Sequence, residues 1–192
     1  SEILSALIFY MSVVILGLFV HMGITYMTLL KIFTNMDIKH FLKSMAPVQL
    51  LGFSTSSSGA TLPVTMKRCE KDLGISEEIS SFVLPLGATI NMDGTALYQG
   101  VAAVFIAQAV GMDLTLANQF TIVATAVLAS IGTAAVPGAG IIMLIIILEA
   151  INVPSEGIAL ILGVDRILDM IRTATNVTGD ATVASVMDSL ER

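Results

Sequence analysis

Residues 165–180, DRILDMIRTATNVTGD, place three aspartates and two arginines in a chain that is 55% hydrophobic. Five polar residues in this segment are separated by four, three, four and four positions. At about 100° per residue this spacing confines them to an arc of roughly 80° on one helix face. We call this set the polar stripe: Asp165, Asp169, Arg172, Asn176 and Asp180.

The polar stripe has two interpretations. It could be the solvated face of an amphipathic helix in the cytoplasm. However, the opposite face is apolar, with Ile161, Leu162, Ile167, Leu168 and Ile171. A charge at mid-bilayer costs at least about 2.5 kcal/mol, so intramembrane charges usually face each other or a wet cavity on a substrate path. We therefore predict that the stripe faces the protein interior.

Asp169 and Arg172 have complementary binding chemistry. The planar guanidinium of Arg172 suits a carboxylate, and the carboxylate of Asp169 suits an ammonium group. Together they would bind both ends of a zwitterion that carries an extra acid group. The alternative is an internal salt bridge between positions i and i+3 without a binding role.

Three other segments carry polar or flexible groups within apolar runs. NMDGT, residues 91–95, would unwind a helix and expose carbonyls beside the oxygens of Asn91 and Asp93, hard ligands that suit Na⁺. The alternative is a glycine kink. The serine run 56–58 offers hydroxyls and N–H groups to an anion, or is a flexible loop. TAAVPGAG, residues 133–140, suits a mobile gate.

His21 is predicted to be a polar helix residue and His40 a solvated loop residue, both without a catalytic role.

Composition indicates a membrane protein. The 192 residues have a mean hydropathy of +0.90 and only 12% charged residues, which excludes an ordinary soluble domain. The net charge of −6 is scattered rather than gathered in a block, which argues against a nucleic-acid partner. The single cysteine excludes an internal disulfide. We expect the chain to be the later part of a longer protein, because it starts without a methionine or a leader.

The apolar runs predict an all-α membrane protein of five segments. Residues 3–33 form a transmembrane helix, 44–73 a first re-entrant hairpin, 79–111 a broken transmembrane helix, 119–152 a second re-entrant hairpin and 157–190 a last transmembrane helix. After the first helix, the order is hairpin then broken helix, twice. Such paired interruptions are typical of inverted-repeat transporters and their binding sites.

The distribution of lysine and arginine predicts the orientation. Six of the nine lie in or next to the polar loops 34–44 and 67–78, whereas the loops at 112–119 and 149–157 have none. The positive-inside rule places the two basic loops and the C-terminus in the cytoplasm. The first hairpin would then enter the membrane from the cytoplasm and the second from outside, so that their tips approach near the midplane.

Four motifs in order, TSSSGATLPVTM, LPLGATINMDGTALYQG, ASIGTAAVPGAG and LDMIRTATNVTGD, resemble the glutamate transporter family. These are the dicarboxylate/amino acid:cation symporters, and the likeness is strongest to prokaryotic sodium-coupled aspartate and glutamate members. The resemblance implies a homotrimer whose transport domains move like elevators against a trimerisation scaffold. Residues 1–192 would form part of the transport domain, and the scaffold and the third helix would be absent.

The resemblance implies roles for individual residues. Asp169 would bind the substrate amino group, Arg172 its side-chain carboxylate, and Ser58 and Asn176 its α-carboxylate. The implied substrate site also includes Ser57, Thr95, Val136, Gly140 and Thr173.

Sodium sites are likewise implied by the resemblance. One site would use Gly87, Asn91, Asn176 and Asp180, and another the carbonyls around Met92, Thr95, Ser130, Ile131 and Thr133. A third would use Asn91 and Asp93, with ligands from the absent third helix. Many prokaryotic members of the family carry an arginine at the position of Ser56, and animal members carry one instead at the position of Met170. This chain has neither, and Arg166 could reach the same region.

The expected function is sodium-coupled symport of L-aspartate or L-glutamate by an elevator mechanism, with the second hairpin as the gate. The protein would lie in the inner or plasma membrane, use Na⁺ as a co-transported ion, and have no organic cofactor and no enzyme activity. One alternative is a proton- or sodium-coupled C4-dicarboxylate symporter. Another is a membrane hydrolase that uses the serine run, although no GxSxG motif occurs. The isolated chain could also bind its ligand without transport.

Overall fold

The protein is helical throughout the part of the chain that the computed structural model describes, residues 2–192, and no β-strand occurs there. The prediction of an all-α protein is therefore confirmed. A π-helical turn, Met22–Tyr26, joins the first two helices, and a 3-10 segment, Ser155–Leu160, precedes the last. The helices are α1 (Glu2–His21), α2 (Met27–Phe33), α3 (Ile38–Thr55), α4 (Ser58–Lys71), α5 (Glu77–Ile90), α6 (Asp93–Ala109), α7 (Leu116–Ile131), α8 (Ala139–Ala150) and α9 (Leu162–Glu191).

Polar side chains at the helix starts determine where several helices begin. Asp37 and Ser57 each accept a hydrogen bond from the backbone N–H three residues later, at 2.9 and 3.1 Å. Ser76 and Thr115 cap α5 and α7 in the same way. These caps satisfy N–H groups that have no partner within the helix.

The cap at Asp37 corrects one boundary. Residues 34–44 were predicted to form a polar loop, but α3 begins at Ile38, so the connection between α2 and α3 is confined to residues 34–37. The basic side chains of Lys39 and Lys43 therefore lie on the first turns of a helix.

Helix α9 is the centre of the fold and packs against α1 through α6. Leu168, near its start, belongs to an apolar cluster formed with α1, α6, α7 and α8. Val177 and Ala181, further along, belong to a second cluster formed with α2, α3, α4 and α5. The polar residues of α9 between these positions thus lie where the two apolar clusters meet.

The repeat pattern predicted a second broken helix at 157–190, and this part of the pattern was wrong, because α9 runs without interruption from Leu162 to Glu191. Thr175, Thr178 and Thr182 donate their hydroxyl groups to the carbonyls four residues earlier. Their polarity is satisfied within the helix, so it does not unwind the backbone. The break predicted in the preceding transmembrane segment is present, since α5 ends at Ile90 and α6 begins at Asp93.

By length and composition, one helical stretch among the described residues, Ile3–Phe33, could cross a membrane. Helices α7 and α8 are apolar but shorter. Large apolar side chains on the outer face of α1 are exposed, including Ile3, Phe9, Leu16 and Phe19. An exposed apolar surface of this kind suits contact with lipid or with another protein element.

Candidate functional site

All five members of the polar stripe are buried, as the helical spacing predicted. Their relative exposures range from 1% for Arg172 to 8% for Asp165. A charge this deeply buried is stable only when it is paired and hydrogen-bonded. The contacts of the stripe therefore define the candidate site.

Arg172 is held on three sides. Its Nη1 donates to Asp165 Oδ1 at 3.0 Å, and its Nε donates to Asp169 Oδ1 at 3.0 Å. The Tyr98 ring lies 3.9 Å from the guanidinium carbon, a cation–π contact. Nη2 also lies 3.0 Å from Asp169 Oδ1, but within residues 2–192 this buried nitrogen has no aligned hydrogen-bond acceptor. Arg172 thus retains donor capacity for a further acceptor.

Asp169 connects α9 to the loop between α7 and α8. Its Oδ2 accepts a hydrogen bond from the backbone N–H of Gly138 at 2.9 Å. Gly138 has φ of 77°, in the left-handed region that glycine adopts without strain. The loop tip is thereby held against the candidate site by the carboxylate that the sequence predicted to bind an ammonium group.

The tip of the α3–α4 connection and the tip of the α7–α8 loop contact each other. Ser57 Oγ donates to the Ala135 carbonyl at 2.6 Å, and the Gly59 N–H donates to the same oxygen at 3.3 Å. Ser56, with φ of 51°, ends α3 and turns the chain into α4. The N-terminal turn of α4, which begins at Ser58, therefore lies beside the tip of the α7–α8 loop.

A small cavity of about 20 Å³ lies where these tips meet α6 and α9. Its lining includes seven of the nine residues predicted to bind substrate: Ser58, Thr95, Val136, Gly140, Asp169, Thr173 and Asn176. Ser57 and Arg172 lie next to it without lining it. A Cβ at Gly140 would come within 3.2 Å of Arg172 Nη2, so the guanidinium lies directly behind this glycine.

Asn176 joins the break between α5 and α6 to the stripe. Its Oδ1 accepts the Gly94 N–H at 2.8 Å, and its Nδ2 donates to Thr95 Oγ1 at 3.2 Å. Met92 Sδ lies 3.3 Å from the same Nδ2. The side-chain amide of Asn176 thus holds the first turn of α6 against α9.

A second cluster of polar groups lies further along α9, toward its C-terminus. Asn91 Nδ2 donates to Asp180 Oδ1 at 2.8 Å. A Cβ at Gly87 would come within 2.8 Å of the same oxygen, so the α5 backbone lies against this carboxylate. Three of the four residues predicted for one sodium site, Gly87, Asn91 and Asp180, are therefore in contact.

Asp93 points elsewhere, toward the π-helical turn. Its Oδ2 is 3.1 Å from the Tyr26 hydroxyl and 3.2 Å from His21 Nε2. Its side chain retains 40% exposure. The two neighbours in sequence, Asn91 and Asp93, thus belong to different groups of contacts.

The remaining predicted sodium ligands lie near the end of α7. Thr133 lines the cavity, and its N–H donates to the Ser130 carbonyl at 3.1 Å. Ile131 is 46% exposed and its side chain has no ligand atom, so only its backbone carbonyl could contribute. Within residues 2–192, no three histidine, cysteine, aspartate or glutamate side chains converge in a metal site.

A larger cavity, of about 840 Å³, lies between α1, α6 and α7. Its lining is mainly apolar and contains no lysine or arginine. Without a cation it has nothing to pair with a carboxylate, and it lies apart from the polar stripe. It is not a candidate site for an anionic ligand.

Several residues of the site were missed by sequence reasoning. Tyr98 contacts Arg172, and its position three residues after Thr95 on α6 was the signal for a shared face. Asp165 was recognised as part of the polar stripe, but no binding role was assigned to it. Tyr26 was not singled out, and His21 was predicted to be a polar helix residue without a catalytic role.

A helical protein that buries several carboxylates and one arginine around a small polar cavity has the features of a membrane transport protein. The chain belongs to the sodium:dicarboxylate symporter family, which it matches over residues 1–190. Membership of this family of membrane transporters confirms the resemblance found in the four sequence motifs and argues against an enzyme.

Curated relatives support the same assignment. The chain is 45% identical over 191 residues to excitatory amino acid transporter 3 of Mus musculus, covering 100% of this chain and 36% of that protein. It is 43% identical over 183 residues to excitatory amino acid transporter 2 of Homo sapiens, covering 95% and 32%. An excitatory amino acid transporter of Caenorhabditis elegans is 43% identical over 178 residues, covering 93% and 35%. The chain thus spans about a third of the length of these relatives.

Proposed function

We propose that this chain is part of the transport domain of a sodium-coupled symporter for an acidic amino acid, L-aspartate or L-glutamate. The observation that carries the proposal is the buried Arg172 beside Asp169, next to a cavity at the meeting point of two loop tips. A cation with an unpaired donor and a nearby carboxylate suit a ligand that has both an acid group and an ammonium group. The names of the relatives describe transporters of excitatory amino acids, which agrees with this chemistry.

The geometry supports a distinct task for each group. Asp169 would bind the ammonium group, and Arg172 would bind the side-chain carboxylate through Nη2. Ser58, at the positive end of the α4 dipole, and Asn176 would bind the α-carboxylate. The wall of the site would be completed by Ser57, Thr95, Val136, Gly140 and Thr173.

The charge of the site supports sodium coupling. When ionised, Asp93, Asp165, Asp169 and Asp180 outnumber the one arginine of the stripe, and an anionic substrate adds to the surplus. Charge in a membrane interior is costly, so cations bound together with the substrate would lower the cost of moving it. The proposed ligands are oxygens of Gly87, Asn91, Asn176 and Asp180 at one site, carbonyls near Met92, Thr95, Ser130, Ile131 and Thr133 at another, and Asn91 with Asp93 at a third.

We further propose that the architecture is an inverted repeat of re-entrant hairpins, residues 44–73 and 119–152, each followed by a transmembrane segment, 79–111 or 157–190. Residues 3–33 would be the preceding transmembrane helix. The short connections at the α3–α4 and α7–α8 tips, and the hydrogen bonds between the tips, support this arrangement. In the whole protein the domain would move as an elevator within a homotrimer in the cell membrane, with the second hairpin as the gate. The two basic loops and the C-terminus would be cytoplasmic. The isolated chain would bind ligand at most.

The test of sodium coupling is uptake of labelled L-aspartate by the full-length protein in liposomes. We expect uptake to stop when external Na⁺ is replaced by choline, because the surplus negative charge then remains uncompensated. Uptake that continues unchanged in choline would contradict the sodium part of the proposal.

The alternative function is proton- or sodium-coupled symport of a C4-dicarboxylate, and the family name includes dicarboxylates. A dicarboxylate has no ammonium group and therefore no use for Asp169. We expect Asp169→Ala to abolish L-aspartate binding in calorimetry. If the variant instead transports succinate at the wild-type rate, and the wild type prefers succinate, the alternative is correct.

A further inference from the structure

The π-helical turn between α1 and α2 brings two hydrogen-bond donors to one carboxylate oxygen. The Tyr26 hydroxyl and His21 Nε2 lie 3.1 and 3.2 Å from Asp93 Oδ2. A carboxylate oxygen only accepts, so His21 Nε2 must carry the hydrogen of this bond. Neither bond involves the second oxygen, Oδ1.

The π turn is what makes this convergence possible. Residues five apart on an α-helix lie about 140° from each other around the axis. Closure of the turn from i to i+5 instead brings His21 and Tyr26 onto one face. Their ring centroids are 4.8 Å apart, and the rings meet edge to face. Single π turns of this kind occur frequently at functional sites.

Tyr26 is also fitted closely to α9. It is 2% exposed, and a Cβ at Gly179 would come within 2.5 Å of its hydroxyl oxygen and 2.8 Å of Asn91 Nδ2. The hydroxyl therefore lies in the space left by a glycine, between Asp93 and the group formed by Asn91 and Asp180. A larger residue at position 179 would displace it.

We propose that Tyr26 and His21 are positioning residues for sodium, which hold Asp93 by Oδ2 and so present Oδ1 to the ion. The inference rests on the proposed function, in which Asp93 is a sodium ligand. A carboxylate on the first residue of a helix can otherwise rotate freely, and each rotamer points its oxygens elsewhere. Hydrogen bonds to a metal ligand fix its orientation, and losing one typically costs about tenfold or more in affinity.

The test is the sodium dependence of L-aspartate uptake by the full-length protein in liposomes. Tyr26→Phe keeps the ring and its packing and removes only the hydroxyl. We expect the Na⁺ concentration for half-maximal uptake to rise about tenfold. The L-aspartate concentration for half-maximal uptake, measured at saturating Na⁺, should not change, because Tyr26 does not line the substrate cavity. A purely structural role would not separate these two constants.

A second pair of variants covers the case in which Tyr26→Phe folds poorly. His21→Leu should raise the Na⁺ requirement, whereas His21→Gln, which keeps an N–H donor, should restore most of the affinity. Tyr10→Phe is the matched control, because it removes a buried tyrosine hydroxyl from α1, and the Tyr10 ring stacks on Phe105 rather than on the π-helical turn. It should leave the Na⁺ requirement unchanged.

The outcomes separate this inference from the proposed function. An unchanged or lowered Na⁺ requirement in both Tyr26→Phe and His21→Leu, with a sodium-dependent wild type, overturns the inference alone. A lowered requirement would mean that the two donors compete with the ion. Uptake by the wild type that does not depend on sodium overturns both.

Discussion

The Gly87→Ala variant tests the proposed sodium site at Asp180 with a single methyl group. The added Cβ would lie 2.8 Å from Asp180 Oδ1 and 3.2 Å from its Cγ. Ordinary van der Waals contact begins at 3.4 Å, so the oxygen must retreat by about 0.6 Å. The same oxygen accepts the hydrogen bond from Asn91 Nδ2 at 2.8 Å, so the carboxylate cannot move without disturbing that bond as well.

The displacement is large for an ion site. Metal–ligand distances in workable sites vary by about 0.2 Å, and a misplacement of about 1 Å can cost roughly a hundredfold in function. We therefore expect the Na⁺ concentration for half-maximal L-aspartate binding to rise roughly tenfold in Gly87→Ala. The assay is calorimetry of L-aspartate binding to the full-length protein over a series of Na⁺ concentrations.

Gly100→Ala is the matched control for this prediction. Gly100 also lies within a helix, α6, and a Cβ there would meet nothing within 4 Å. Both substitutions gain about 0.8–1.0 kcal/mol of helix propensity, so only the contact with Asp180 differs between them. If Gly87→Ala and Gly100→Ala show the same Na⁺ dependence, Asp180 is not a sodium ligand or the backbone at Gly87 shifts without consequence, and the reasoning fails.

Two further substitutions test other parts of the molecule. Arg172→Lys keeps the charge but loses the fork that contacts Asp165 and Asp169, and calorimetry should show roughly tenfold weaker L-aspartate binding; wild-type affinity would contradict the assigned role. Asp188→Ala removes the acceptor of the Ser76 N–H, at 2.8 Å, and the partner of Arg192; the Tm should fall by the equivalent of about 1 kcal/mol while ligand binding is retained. An unchanged Tm would show that this C-terminal contact does not stabilise the fold.

The polar stripe could be predicted from sequence because its spacing is local. Residues three and four apart on a helix share a face whatever surrounds them. Because the opposite face of the helix is apolar, the polar face was predicted to lie against the protein interior, and all five side chains are buried. The break between α5 and α6 was predictable for a similar reason, because Asn91 and Gly94 interrupt an apolar run.

The contacts at Asp93 could not be predicted in this way. His21 and Tyr26 are five residues apart, and α-helical geometry would have placed them on different faces. Only the π turn, which packs against α9, brings both rings to one carboxylate. The repeat pattern implied a break in 157–190 that α9 does not have, because the threonines of α9 donate their hydroxyl groups to backbone carbonyls of the same helix.

The contacts of the α7–α8 tip connect the proposed substrate site to the proposed gate. A cavity of about 20 Å³ has room for roughly one water molecule, so an amino acid can reach Asp169 only if the surrounding tips separate. Two hydrogen bonds hold the tip: the Gly138 N–H donates to Asp169 Oδ2, and Ser57 Oγ donates to the Ala135 carbonyl. An ammonium group that binds Asp169 must share or replace the first of these bonds. The carboxylate proposed to bind the substrate is thus the same one that holds the tip closed, so access to the site and movement of the tip are coupled through Asp169.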